Sequence, residues 1–244
     1  MSSFFVTGTD TNVGKTVASR AIIQALQNKG IQIVGYKPLA FAREEGIYSD
    51  KECLHAPVSD YDSEDNSDVL TLMNSSNEIL SYQDINSYTF KCTMPLFTDE
   101  GTRIRIEKLN TDLSRLNAKY QSVLVEGSCG WLTPINKHHC FADWVQEQKM
   151  PVILVVGIKE GCINHALLTM EAILQRGLPL LGWIANRINP CLGHYSEMIS
   201  VLSEKIDAPL LGEIPYLHKP EEQELGRYIN NLDRLTYMKT AFVD

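Results

Sequence analysis

Short apolar runs recur along the chain, separated by longer stretches in which apolar residues return every three or four positions. The runs predict strands at Phe4–Thr7, Ile31–Tyr36, Ser122–Val125, Val152–Val156, Gly182–Ala185 and Leu210–Ile214. Several are apolar throughout rather than alternating, the pattern of strands covered on both faces, as in a parallel sheet. The longer periodicity predicts helices at about Gly14–Lys29, Glu100–Lys119, Asn164–Arg176, Gly193–Lys205 and Glu221–Asn231. Such alternation implies an α/β fold, doubly wound about a mostly parallel sheet, with ligands gathered at the carboxyl ends of the strands. No Pro/Gly/Ser-rich linker divides the chain, so residues 1–244 are expected to form one domain. One segment breaks the alternation. Arg43 to Asp68 carries nine carboxylates against two basic residues and reads as a solvated loop.

Composition narrows the partners. The net charge is -8 and no Lys/Arg run occurs, which argues against nucleic acid. No apolar stretch approaches the ~20 residues of a membrane span, so no membrane partner is expected. The N-terminal MSSFFVTGTD lacks the charged start and long apolar run of a signal peptide. Six cysteines with no CxxC pair read as reduced thiols of a cytoplasmic protein. His138, His139 and Cys140 match no zinc spacing and read as a polar surface loop.

The chemistry begins where the first strand ends, at Gly8-Thr9-Asp10-Thr11-Asn12-Val13-Gly14-Lys15-Thr16. Glycines let a loop curl its N–H groups towards a phosphate, and the following helix adds its positive end. Lys15 is placed to meet the β- and γ-phosphates, and the Thr16 hydroxyl to ligate Mg²⁺. Five residues separate Gly8 from Gly14, one more than the usual P-loop spacing. Lys37 follows the second strand and can reach the same crevice. Glu126, followed by Gly127, Ser128, Cys129 and Gly130, ends the third, where P-loop proteins hold Mg²⁺.

These segments resemble one family. GTDTNVGKT (8–16), GYKP (35–38), NSD (66–68), VEG (125–127), FADW (141–144), PVILVVG (151–157), GCINHALLT (161–169), GWIAN (182–186) and PLLGEIPYL (209–217) are similar, in this order, to dethiobiotin synthetases over nearly the whole chain. The resemblance implies a cytoplasmic homodimer of biotin biosynthesis, using ATP, CO₂ and the diamine 7,8-diaminopelargonate to make dethiobiotin, ADP and phosphate. It implies nucleotide contacts from Asn12, Val13, Gly14, Lys15, Thr16 and Val17 and from Asp68 and Glu126 to Cys129. Asn186 would read adenine beside Arg187, Pro215, Tyr216 and Leu217 would flank the base, and Glu221 would lie towards the nucleotide. Thr16, Asp68 and Glu126 would hold Mg²⁺, and Lys37 with Lys15 and Thr11 would act on the reacting groups. Gly161, Cys162, Ile163 and Asn164 open a helix whose N–H groups suit the diamine's tail carboxylate. In the family that helix comes from the neighbouring subunit. Asn164 would equally serve as the helix cap.

Several positions depart from the family pattern. Phe41 stands where a small hydroxyl residue is common, Ser128 and Cys129 interrupt a glycine-rich VEGAGG, Met94-Pro95-Leu96 replaces SPH, and Arg187 replaces an Asp. Most lie near the diamine, which leaves open a paralogue acting on another small acid or diamine. The alternative outside the enzymes is a regulatory P-loop ATPase of the chromosome-partitioning or division-site kind.

Overall fold

A computed structural model of the chain describes residues 2–41, 66–90, 103–232 and 235. In chain order the elements are β1 (Ser2–Gly8), α1 (Lys15–Asn28), β2 (Ile33–Phe41), α2 (Ser67–Asn74), β3 (Asn86–Phe90), α3 (Ile106–Lys119), β4 (Ser122–Glu126), α4 (Phe141–Glu147), β5 (Val152–Gly157), α5 (Cys162–Leu174), β6 (Leu180–Asn186), α6 (Tyr195–Lys205) and β7 (Leu210–Ile214). Among the described residues the strands form one seven-stranded sheet in the order β3-β2-β4-β1-β5-β6-β7. Every pairing in it is parallel. β4 and β5 are buried at every position, as strands covered on both faces must be. All six predicted strands and the doubly wound architecture are therefore borne out.

β1 lies at the centre, between β4 and β5. The loop that leaves β1 is thus flanked by the loops leaving β4 and β5, and the crevice forms along these carboxyl ends. α1 is buried on nearly all sides, from Ala18 through Leu26. It packs against the sheet, α2 and the turn at Gly226–Tyr228, while α5 and α6 pack together. Phe5 anchors the centre, its ring 6.1 Å from that of Trp131 and 5.7 Å from that of Phe141, which opens α4. Full burial of such a ring stabilises by roughly 1.5–3 kcal/mol.

Four elements differ from the sequence reading, the first being α4 (Phe141–Glu147), where no helix is predicted. β3 is a short edge strand, half exposed along its middle, and its NSYTF carries little apolar signal. α2 begins inside the stretch read as a solvated loop, because Asn66 caps it by accepting the N–H groups of Asp68 and Val69. The rest of that loop, 43–65, and Met94–Leu96 lie outside the described residues, as do 100–102 of the helix predicted from Glu100, which in the structure is α3 and begins at Ile106. The helix read at Glu221–Asn231 is instead two single turns, Pro220–Glu222 and Gly226–Tyr228. Tertiary contact decides this: a Cβ on Gly226 would sit 2.9 Å from the Ala25 backbone nitrogen, so the chain lies flat on α1 there.

Candidate active site

The phosphate loop is held open from below. Thr9 N–H donates to the Val155 carbonyl at 3.1 Å, tying the loop's start to β5. Asn12 (φ 58) and Gly14 (φ 84) both take left-handed backbone. Between them Val13 is wholly buried. A Cβ on Gly8 would lie 2.6 Å from Val13 Cγ2, and one on Gly157 would lie 2.9 Å from Val13 Cβ. The residue in excess of the usual spacing is thus absorbed by turning Val13 into the core between two glycines. From the far side, Asn186 Nδ2 donates to the Val13 carbonyl at 2.9 Å. A Cβ on Gly14 would lie 2.0 Å from that amide nitrogen, so glycine is required there twice over. One N–H of Asn186 is therefore committed to the loop.

Beside the loop, β2 and β4 bring a buried ionic cluster together. Lys37 Nζ lies 2.7 Å from Glu126 Oε1, 3.1 Å from Asp68 Oδ2 and 3.3 Å from the Gly127 carbonyl. The Thr16 hydroxyl donates to the same Glu126 oxygen at 2.8 Å. Lys37 is 2% exposed and Glu126 0%. Glu126 Oε2 is buried and has no hydrogen-bond partner among the described residues. A buried carboxylate oxygen left bare beside a threonine hydroxyl and a second carboxylate is the donor set a hard cation takes. Thr16, Asp68 and Glu126 fit Mg²⁺ on that ground.

The two lysines sit in unlike surroundings. Lys15 Nζ donates to the carbonyls of Asp10 at 2.9 Å and Cys129 at 2.6 Å, and among the described residues it bonds no carboxylate directly. Burial, then the neighbouring Lys37 ammonium, pull its pKa down to about 8. Lys37 is buried too, but Glu126 and Asp68 outweigh the burial and hold it above the ordinary lysine value. Lys15 is thus a cation waiting for an anion, while Lys37 is one already neutralised.

Cys129 takes left-handed backbone (φ 56), the conformation a glycine adopts without strain. The turn survives the substitution because Lys15 binds its carbonyl and Ser128 Oγ donates to the Leu39 carbonyl at 2.5 Å. The departures at Ser128 and Cys129 therefore leave the loop's course tied to β2 and α1.

The remaining candidates lie further out. Thr11 is exposed, and its N–H donates to Asp10 Oδ1 at 2.7 Å. Phe41 packs its ring 5.9 Å from that of Phe90, and its carbonyl accepts from Asn66. α5 starts at Cys162 with Gly161 as its cap in left-handed backbone, and no side chain caps it. Asn164 is therefore not the cap; it is exposed within the first turn. Cys162 buries its side chain and donates its N–H to the Lys159 carbonyl, which leaves the N–H groups of Ile163 and Asn164 open to an outside acceptor. Pro215 and Leu217 are half-buried, and Tyr216 and Glu221 face solvent. Arg187 lies over the Tyr195 ring at 4.7 Å and donates to the Pro190 carbonyl at 3.0 Å, away from its neighbour Asn186.

Two residues joined the site unannounced. Lys159 pairs with Asp10 at 3.0 Å and links the start of α5 to the phosphate loop. That bond, with Thr11 N–H, holds Asp10 below the ordinary carboxylate range despite partial burial. Asn86 lies opposite Lys37 on β3 and donates to its carbonyl at 2.7 Å, bracing the middle of β2 from the edge strand. Neither pair has a sequence signal, since the partners are far apart in the chain.

A family model described as an AAA domain matches residues 2–224. The chain is 75% identical to the ATP-dependent dethiobiotin synthetase of Pasteurella multocida over 244 residues, covering 100% of both chains. It is 67% identical to that of Mannheimia succiniciproducens and 63% identical to that of Haemophilus influenzae, each over 243 residues and again covering 100% of both. The chain belongs to the dethiobiotin synthetase family. Among solved structures it is similar to a chain of the MinC:MinD cell division protein complex of Aquifex aeolicus (TM-score 0.52, 15% identity, covering 94% of this chain and 87% of that one). It is also similar to a ParA family ATPase of Chlorobium tepidum (TM-score 0.52, 13% identity, covering 98% and 94%). At such identity these neighbours share the fold with the dethiobiotin synthetase family and carry nothing further. Among the described residues no helix is long and apolar enough to cross a membrane.

Proposed function

We propose that this chain, as one domain, catalyses the ATP- and Mg²⁺-dependent ring closure of 7,8-diaminopelargonate with CO₂ to dethiobiotin, releasing ADP and phosphate, in biotin biosynthesis. It would do so as a cytoplasmic homodimer. The observation that carries this reading is the convergence of Lys15 and Thr16 at the start of α1, Lys37 within β2, Asp68 in the first turn of α2 and Glu126 at the end of β4, in a chain of this family.

The chemistry needs three events. An uncharged amine of the diamine attacks CO₂ and loses a proton, giving a carbamate. A carbamate oxygen attacks the γ-phosphorus of ATP and ADP leaves. The second amine then attacks the carbamate carbon, phosphate leaves, and the five-membered urea closes. Phosphoryl transfer asks mainly for positioning and for neutralisation of charge. Lys15, whose ammonium bonds backbone carbonyls, turns to the transferring phosphate. Lys37, fixed by Glu126 and Asp68, holds a constant positive charge beside the carbamate. Thr11 lies at the loop's rim beside the diamine. Thr16, Asp68 and Glu126 would hold Mg²⁺, which would supply positive charge to offset that of the phosphates. Asn186 reads adenine, Pro215 to Leu217 flank it, and Glu221 lies towards the nucleotide. The start of α5, Gly161 to Asn164, takes the tail carboxylate across the subunit boundary.

Incubation of pure protein with ATP, Mg²⁺, bicarbonate and the diamine, followed by mass spectrometry, tests the proposal. Dethiobiotin should accumulate, with one phosphate released per ring closed, and omission of any component should abolish it. Phosphate release that continues unchanged without the diamine, with no new ring product, would overturn it.

A further inference from the structure

The segment that leaves β7 is fastened to the very helix that begins at the phosphate loop. Leu225 N–H donates to Gln24 Oε1 at 2.7 Å, and Gly226 N–H donates to the same oxygen at 3.1 Å. Both bonds are buried. One turn earlier on the same face of α1, Arg20 donates to the Gln223 carbonyl at 3.3 Å and to Ser75 Oγ at 3.4 Å. Beyond Gly226 the chain returns to the sheet. Gly212 pairs with Ile229, and Asn230 N–H donates to the Leu211 carbonyl at 2.9 Å. A Cβ on Gly212 would lie 2.1 Å from the Tyr228 carbonyl, so this return allows no play.

Residues 215–224 therefore form a loop fixed at one end by β7 and at the other by Gln24. We infer that Gln24 is a positioning residue for the nucleotide: it sets the loop that flanks the base at a fixed distance from the loop that binds the phosphates. Two buried backbone donors converge on one amide oxygen, and an apolar side chain at position 24 would leave both unpaired. The loop would then lift, and base and phosphates would no longer bind as one unit. This inference rests on the proposed placement of the base beside Pro215 to Leu217.

The test compares two ligands on the full chain by calorimetric titration with Mg²⁺: ATP, and inorganic tripolyphosphate, which has phosphates but no base. In Gln24→Leu, ATP affinity should fall about tenfold, equivalent to ~1.4 kcal/mol, while tripolyphosphate affinity stays within about twofold. The KM for ATP should rise in step, with kcat at saturating ATP little changed. Gln24→Glu, which keeps an acceptor for both N–H groups, should bind ATP within about threefold of the parent chain. Arg20→Met removes only the outer tie, and should shift ATP in the same direction by a smaller factor. It supplies the reading if Gln24→Leu does not fold. Parallel loss of both ligands in Gln24→Leu would mark a defect of the whole helix and overturn the inference, as would unchanged ATP affinity. If the parent chain forms dethiobiotin yet binds ATP no tighter than tripolyphosphate, the base placement fails while the catalytic reading stands.

Discussion

Lys37 and Glu126 are almost wholly buried at the β2–β4 end of the crevice, whereas Tyr216 and Glu221 at the β7 end face solvent. At the first end the functional groups are side chains, and each is fixed by another: Thr16 and Lys37 share one oxygen of Glu126. At the second end the backbone is fixed, through Gln24 and β7, and the side chains on it are loosely held. Reaction chemistry needs charges at set distances in a medium of low dielectric, so its residues are also structural. Recognition of a flat base needs mainly a correctly placed surface. The same substitution should thus cost folding and turnover at one end, and only affinity at the other.

The largest effect is expected at Lys15. Lys15→Ala removes a charge that, among the described residues, bonds two backbone carbonyls, so the fold should persist. Turnover should fall on the order of 10²–10³-fold, the usual consequence of deleting one preorganised donor to developing charge. Phosphate release alongside circular dichroism checks both halves, and near-normal turnover in folded protein would remove Lys15 from the chemistry.

The ionic cluster should show the opposite balance. Glu126→Gln leaves the Lys37 ammonium buried with only Asp68 opposing it, and Lys37→Met leaves two carboxylates without their cation. Loss of one partner from a buried pair typically costs about 3–5 kcal/mol. For a chain of this length that corresponds to a fall in Tm on the order of 10 °C. A scanning calorimetry trace unchanged in either variant would mean that the cluster is not structural.

Metal dependence sharpens the same contrast. EDTA should abolish product formation, and excess Mg²⁺ should restore it. Asp68→Asn should raise the Mg²⁺ needed for half-maximal rate by about tenfold, in line with loss of one charged ligand contact. Asp68 is half-buried at the helix start, so this variant should fold. An unchanged Mg²⁺ titration would place the metal elsewhere.

The helix start of α5 stands between the two ends in expected effect. A carboxylate at such a start gains roughly 0.3–2 kcal/mol from the dipole, and hydrogen bonds to a charged group add about 1.5–3 kcal/mol. A diamine lacking its tail carboxylate should therefore bind at least about tenfold worse. Calorimetry with both diamines, together with sedimentation, tests this. Equal affinity, or tight binding by a monomer, would break the assignment of Gly161–Asn164.

The same division governs what the sequence could reveal. The chemistry end announces itself because Gly14-Lys15-Thr16, Lys37 and Glu126 each come just after an apolar run in the sequence, although β2 continues through Lys37 to Phe41 and Glu126 is the last residue of β4. β1, β2, β4, β5, β6 and β7 are legible for the same reason, since central parallel strands are apolar throughout. α4 is too short for a helical period to show, and is set by Cys140 N–H donating to Asp143. The recognition end is written in long-range contacts. Asn186 meets Val13 across 173 residues, and Gln24 meets Leu225 across 201. Glu221 to Asn231 has the composition of a helix, and only the close approach of Gly226 to α1 forbids it.

The smallest effect is expected at Tyr216. Tyr216 is 43% exposed, and its ring meets that of His218 edge to face at 6.1 Å. Aromatic contacts contribute about 0.5–1.5 kcal/mol beyond simple burial, and an exposed ring belongs at the low end. Tyr216→Ala should therefore raise the KM for ATP about two- to fivefold and leave kcat unchanged. Because the backbone of the loop is held at Gln24 and not by this side chain, Tm should stay within about 2 °C of the parent chain, as for most surface substitutions. Steady-state kinetics in ATP, run beside thermal melts of Glu126→Gln, make the comparison direct. A loss of Tm in Tyr216→Ala as large as that in Glu126→Gln would show that the side chain, not the backbone ties, holds the β7 end. A hundredfold rise in KM without loss of Tm would show instead that the exposed ring contributes far more to base recognition than its position predicts.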